Sequence, residues 1–158
     1  MGYTLQDLIE GLQSSREHFF KHLDGVKDDQ WDWQPYPQCK TIRETMAHLV
    51  VVDRGFLFAF ETGGMPDWDS LFPDWQPYSP EQLRALLLES RAKLLDHLKS
   101  KYADAPLDTE VTLYGAPQKL GAAVSGLSSE DYYHTGQTSY IRMASDPGWD
   151  YYAAIYNM

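Results

Sequence analysis

Cysteine occurs once in this sequence, at Cys39, so no disulfide can form within the chain. A lone thiol suits a reducing compartment, and any metal site must draw on histidine and carboxylate. Basic residues are also scarce: 13 Lys and Arg face 23 Asp and Glu, for a formal net charge of −10. Such a surface repels phosphate backbones and anionic lipid, which argues against nucleic acid and membrane partners. No apolar run is long enough to span a bilayer, and no N-terminal stretch resembles a signal peptide. Gly2 invites the thought of myristoylation, but residue 6 is Gln rather than Ser or Thr. The expectation is a cytoplasmic protein. There is no P-loop and no G-x-G-x-x-G, so nucleotide binding has no support.

What the chain does have is length and apolar content. Its 158 residues, 43% hydrophobic and 14% aromatic, suffice for a single domain over 1–158 with a sizeable core. Four helical patterns appear. The first runs from about 4 to 24, with Leu5, Leu8, Ile9, Leu12, Phe19 and Leu23 at helical spacing, Thr4 as N-cap and Gly25 as stop. The second, about 41 to 60, opens on a Thr41-Ile42-Arg43-Glu44 capping box and ends at Gly63-Gly64. The third, about 80 to 101, opens on Ser79-Pro80-Glu81-Gln82, with proline at the first helical position. The fourth, about 119 to 145, ends at Asp146-Pro147-Gly148.

These patterns predict an all-α fold, a four-helix bundle. Residues 62–79 form a long Gly/Pro/Trp-rich connection between the second and third helices. A crossover of that length lets two neighbouring helices run parallel, so one parallel pair is expected. Residues 110–114 alternate, which predicts a short extended piece without a sheet. The aromatic tail Trp149, Tyr151, Tyr152 and Tyr156 is expected to pack back on the bundle or on a second subunit.

Chemistry concentrates in the fourth helix. Glu130 and His134 stand four apart and share a face. Traced at about 100° per residue, that face also carries Leu120, Ala123, Leu127, Thr138 and Ile141. A carboxylate and an imidazole on an apolar face are costly unless they are paired. A lone pair at this spacing is ordinarily a hydrogen-bonded or exposed one; the inward-facing position favours a shared divalent metal, with His48 on the flank of the second helix as third ligand. Two His and one Glu with open positions is a catalytic metal set. Ligand type does not separate Zn²⁺, Ni²⁺, Fe²⁺ and Mn²⁺. Gln137, one turn beyond His134, is placed to orient a ligand or a bound water.

Rival readings are weaker. His18 and His22 repeat the i, i+4 spacing but sit beside Glu17 and Lys21 and are expected at the surface, as is His97 beside Asp96. Cys39 has the cationic Lys40 beside it, yet no general base lies nearby in sequence, so a nucleophilic role is the weaker reading. Trp68, Phe72 and Trp75 in the long connection are expected either to anchor it or to cover a pocket mouth. Trp31 and Trp33 read as lids or anchors of the core. Tyr133 and Arg142 lie off the ligand line and are assigned no role.

Three stretches resemble the DinB-like family, also grouped with the bacillithiol and mycothiol S-transferases. They are Trp31-Asp32-Trp33-Gln34-Pro35 followed by Thr41 through Leu49, the long connection ending at Ser79-Pro80-Glu81, and His134-Thr135-Gly136-Gln137 followed by Tyr140-Ile141-Arg142. The resemblance implies a dimeric four-helix bundle with a parallel central pair. It also implies a metal held by one His of the second helix and an H-x-x-x-H pair of the fourth. His48 matches the first ligand and His134 the last; Glu130 stands where that pair has its first His. By resemblance the activity is thiol S-transfer between a small-molecule thiol and an electrophile. Metal-dependent hydrolysis, and a non-catalytic small-molecule-binding or stress-associated dimer with a vestigial site, stand as alternatives.

Overall fold

A computed structural model describes residues 2–158. The four expected helices form within two or three residues of their predicted ends: α1 (Leu5–Lys21), α2 (Ile42–Thr62), α3 (Pro80–Tyr102) and α4 (Leu120–Ser145). Their starts follow from side-chain chemistry. Thr4, Thr41 and Ser79 each accept from the backbone N–H three residues on, and Asp7, Glu44 and Gln82 reach back to the cap. Each such reciprocal cap satisfies two otherwise orphan donors. Gly63 closes α2 in the left-handed region, at φ +74°, where a side chain would be strained.

The crossover works as its length predicts. Near the start of α2, Arg43 Nη1 donates to the carbonyls of Gln76 and Tyr78, just before α3. Near the far ends, Lys101 Nζ donates to Phe60 O. The helices α2 and α3 therefore run parallel. So do α1 and α4, since Ser15 bonds Asp131 while Arg142 bonds the carbonyl of His22. The bundle thus has two parallel pairs where one was expected, and α2 lies antiparallel to α4. Among the described residues, no helix is long and apolar enough to cross a membrane.

Two apolar clusters fill the bundle, one around Leu12, Leu94, Leu98 and Leu127, the other around Phe19, Met46, Leu49 and Leu83. Between them lies a buried polar layer. Arg16 and Arg91 each bridge Asp53 and Asp131, at N–O distances of 2.9–3.2 Å. Ser15 and Ser90 donate to the same carboxylates, and the guanidinium groups also donate to the carbonyls of Leu87 and Leu12. Of the four charged residues, one comes from each of α1, α2, α3 and α4.

Several expectations need correction. The 102–118 segment does contain a sheet: β1 (Glu110–Leu113) pairs antiparallel with β2 (Ala116–Lys119). The second strand, Ala-Pro-Gln-Lys, shows no apolar alternation, which hid it. Its formation rests on the Tyr114-Gly115 turn, both residues having positive φ, a geometry that suits a two-residue hairpin. His22 is fully buried rather than at the surface. It follows the last turn of α1, is covered by Tyr151, and has its Nδ1 2.8 Å from the carbonyl of His18. His97 is half-buried, its ring near Tyr102. The aromatic tail folds into a short helix, α5 (Tyr151–Tyr156).

Candidate metal centre

The expected trio meets. One donor atom each from His48, Glu130 and His134 lie within 4.8 Å of one another. His48 comes from the first third of α2, and the other two from the middle of α4. The antiparallel packing of these helices brings positions more than 80 residues apart in sequence face to face. The two imidazoles stand edge to face, ring centroids 4.7 Å apart, and Glu130 Oε2 lies 3.6 Å from His134 Nε2.

The inward side of α4 is shifted slightly from the expected line. Asp131 is fully buried and belongs to the arginine layer, whereas Glu130 sits at the rim with its side chain 41% exposed. His134 is nearly buried. Gln137 meets His134 itself rather than a ligand or water: its Oε1 lies 2.7 Å from His134 Nδ1. With Nδ1–H donating to that oxygen, Nε2 keeps its lone pair and faces Glu130. This is the usual outer-shell arrangement of a metal-ligating histidine.

Electrostatics point the same way. Burial, then His134, then Lys40 push His48 down to about 4. Burial also lowers His134, against the opposing pulls of Gln137 and Glu130. Both rings are therefore neutral at pH 7, the form that coordinates a cation. The donor set, the neutral imidazoles and the fixed tautomer all fit a divalent ion.

The trio lines an open cleft of about 860 Å³. Tyr133, Tyr140 and Ile141 form part of its wall. Tyr133 also packs edge to face against His134, ring centroids 5.1 Å apart, a contact the sequence reading missed. A second cleft of about 740 Å³ opens between α2 and the crossover, with Trp68, Phe72 and Trp75 as walls. The two clefts share Gln38, Cys39, Lys40 and His48. The crossover aromatics thus do both things expected of them: Phe72 is buried as an anchor, and all three flank a cavity. Cys39 is exposed and faces both clefts, on the same walls as His48. Trp31 and Trp33 pack against the second core cluster. Arg142 holds the carbonyls of His22 and Asp24 and lies over Trp149, remote from the trio in its bonding. His18 and His22 stand 4.7 Å apart by ring centroid, outside the trio.

Comparison with known proteins agrees with the fold. A family model described as the DinB superfamily matches residues 12–138, and the chain belongs to that superfamily. A DinB-like protein from Bacillus cereus has a similar solved structure, with TM-score 0.67 at 18% identity, covering 92% of this chain and 95% of its own. A DinB-like protein from Bacillus subtilis is similar at TM-score 0.63 and 15% identity, covering 92% and 96% respectively. At these identities the likeness establishes the fold. No curated protein matches the chain.

Proposed function

We propose that the chain is a metal-dependent enzyme of thiol S-transferase type, with His48, Glu130 and His134 holding one divalent ion. The observation that carries this reading is the trio itself: three convergent donor atoms at the wall of a cleft large enough for a small molecule. A bound ion supplies Lewis acidity, which keeps a coordinating thiol deprotonated at neutral pH. The chain's own residues do the rest. His48 and His134 present unprotonated nitrogens, and Gln137 holds the His134 ring in the productive tautomer. Glu130 adds an anionic donor, which lowers the net charge of the centre relative to three imidazoles. Tyr133, Tyr140 and Ile141 give the cleft an apolar wall for an electrophile.

The partners in this reading are a low-molecular-weight thiol and an electrophile, in the reducing setting that the exposed Cys39 suits. Nucleic acid is excluded from the proposal by the −10 charge. A homodimer belongs to it, and the exposed Tyr132, Tyr133, Tyr140 and Met143 of α4 offer an apolar face for one.

The test begins with metal content by plasma mass spectrometry on untagged protein. The wild type is expected to carry about one divalent ion per chain, and His134→Ala to carry none. The loaded protein should then accelerate consumption of a small thiol by an aryl halide. No ion after reconstitution with Zn²⁺, Ni²⁺, Mn²⁺ or anaerobic Fe²⁺ would sink the centre. Thiol-independent cleavage of an ester would move the reading to hydrolysis, where the same ion acidifies water.

A further inference from the structure

Uncommitted charges line the second cleft, between α2 and the crossover. Lys40, Glu44 and Asp69 all border it. Among the described residues none of the three forms an ion pair, either with another side chain or with each other. One oxygen of Glu44 accepts from Thr41 N–H at 2.8 Å in the α2 cap, and the other is unspent. Asp69 is exposed. Opposite charges that share a cavity without meeting keep their bonding capacity for a guest.

The aromatic wall facing them is a specific construction. Trp68 lies directly on Gly55, where an added Cβ would come within 2.2 Å of its ring. Glycine inside a helix costs about 0.5–1 kcal/mol relative to alanine, so α2 gives up stability to seat this indole. Trp68 nevertheless stays 38% exposed and borders the cleft. Arg43 and Arg54 lie over Trp75 and Phe72, 5.6 and 4.9 Å from the ring centroids, and neither arginine borders the cleft. Indole faces attract cations, and here they stand opposite two carboxylates.

The cleft is also tied to the trio. Glu44, Ala47, His48 and Val51 line it from one stripe of α2. Glu44 and His48 are one turn apart, about 5.4 Å along the axis. His48 and Lys40 border both clefts, whereas Glu130 and His134 border only the first. A small molecule held at Glu44 therefore lies within one turn of the histidine where the two cavities meet. Its positive end belongs with Glu44, Asp69 and the indoles; its negative or reacting end belongs at the shared wall, beside Lys40.

We propose that the second cleft is a subsite for the ammonium group of an amine-bearing ligand whose other end reaches the trio. Under the thiol-transfer reading, on which this part rests, the ligand is an aminothiol. Thiol and electrophile then approach from the two sides of His48, the electrophile along the Tyr133–Tyr140 wall.

Binding is measured on chelator-stripped protein, so that no ion contributes. The probes are S-methylcysteamine, its neutral counterpart S-methylmercaptoethanol and anionic methylthioacetate, followed by the indole N–H signals in proton–nitrogen NMR. The amine should bind roughly tenfold more tightly than the alcohol, more tightly still than the acid, and should shift the Trp68 and Trp75 signals. Glu44→Gln combined with Asp69→Asn should abolish that preference; glutamine retains the cap, and an unchanged melting temperature verifies the fold. Equal affinity for amine and alcohol overturns the subsite, as does a preference that survives the double substitution. Shifts confined to Trp31, Trp33 and Trp149 place the amine elsewhere and overturn it too. Metal content is read separately: a stripped protein that selects the amine, from a chain that takes up no ion on reconstitution, keeps the ammonium subsite and overturns the aminothiol as its ligand.

Discussion

Neighbouring residues of α4, Glu130 and Asp131, serve two polar clusters built in opposite ways. The arginine–aspartate layer around Asp131 is closed. Two guanidinium groups, two carboxylates, two hydroxyls and two backbone carbonyls satisfy one another with almost no solvent exposure. Arg91 illustrates the balance: burial disfavours its charge, and Asp53 and Asp131 more than offset that, raising its pKa. The His48–Glu130–His134 cluster is open. Its donors converge on a cleft, only one nitrogen of His134 is committed to a protein hydrogen bond at 2.7 Å, and Glu130 is left partly in water. A closed polar network has nothing left to offer a ligand, whereas an open one does. Burial alone does not mark a site; unspent bonding capacity does.

The widest separation between the clusters should appear in paired substitutions at the adjacent positions. Asp131→Ala leaves two buried guanidinium groups short of a counter-charge and should cost about 3–5 kcal/mol. Glu130→Ala, at the rim, should change stability by no more than about 0.5 kcal/mol while reducing metal content. Urea denaturation of chelator-stripped protein measures both. Equal losses for the two variants would erase the distinction between a closed and an open cluster.

Gln137 sharpens the comparison by one shell. Gln137→Leu removes the acceptor of His134 Nδ1–H, so the ring is free to take the other tautomer. Metal affinity should fall about 10–100-fold, short of the complete loss expected of His134→Ala, because all three donors remain. Titration with Zn²⁺ against a competing chelator reads the difference. An affinity equal to wild type would show that Gln137 does not set the tautomer.

The sequence reveals these two clusters unequally. Helix boundaries were readable because caps are local chemistry: Thr41 and Glu44, or Ser79 and Gln82, stand three residues apart. The open cluster was readable because Glu130 and His134 sit four apart on one helix. The closed layer was not read, since Arg16, Asp53, Arg91 and Asp131 are dispersed over four helices and each alone resembles a solvated charge. A signal was present nonetheless. Arg16 lies on the Leu12–Phe19–Leu23 stripe and Asp131 on the Leu127–His134–Thr138 stripe, where a lone charge is costly. Two positive and two negative charges at such places imply one another. Tyr114 escaped for a different reason: it sits on a turn whose second strand has no β pattern, so only the three-dimensional structure reveals the positive φ and the orphan hydroxyl.

His22 is the finest test, because it imitates the open cluster without belonging to it. Like His134, it has Nδ1 near an acceptor, here the His18 carbonyl at 2.8 Å, and an uncommitted Nε2. Unlike His134, it faces no second ligand atom of the trio. His22→Leu should therefore leave metal content at the wild-type level; its effect should lie in acid stability. Burial is the main cause that lowers the His22 pKa in the fold, with His18, Arg142 and Lys21 adding to it against the pull of the His18 carbonyl. The unfolded chain takes up this proton near pH 6.5 and the native one only at lower pH. Between those points the unfolded state binds more protons, so stability is full above about pH 6.5 and is lost as pH falls towards the folded value. Removing the imidazole should make that acid slope shallower, as followed by urea midpoints between pH 8 and 5. A slope equal to wild type would mean that His22 is protonated as readily in the fold as out of it. A loss of metal would instead place His22 in the open cluster and redraw its boundary.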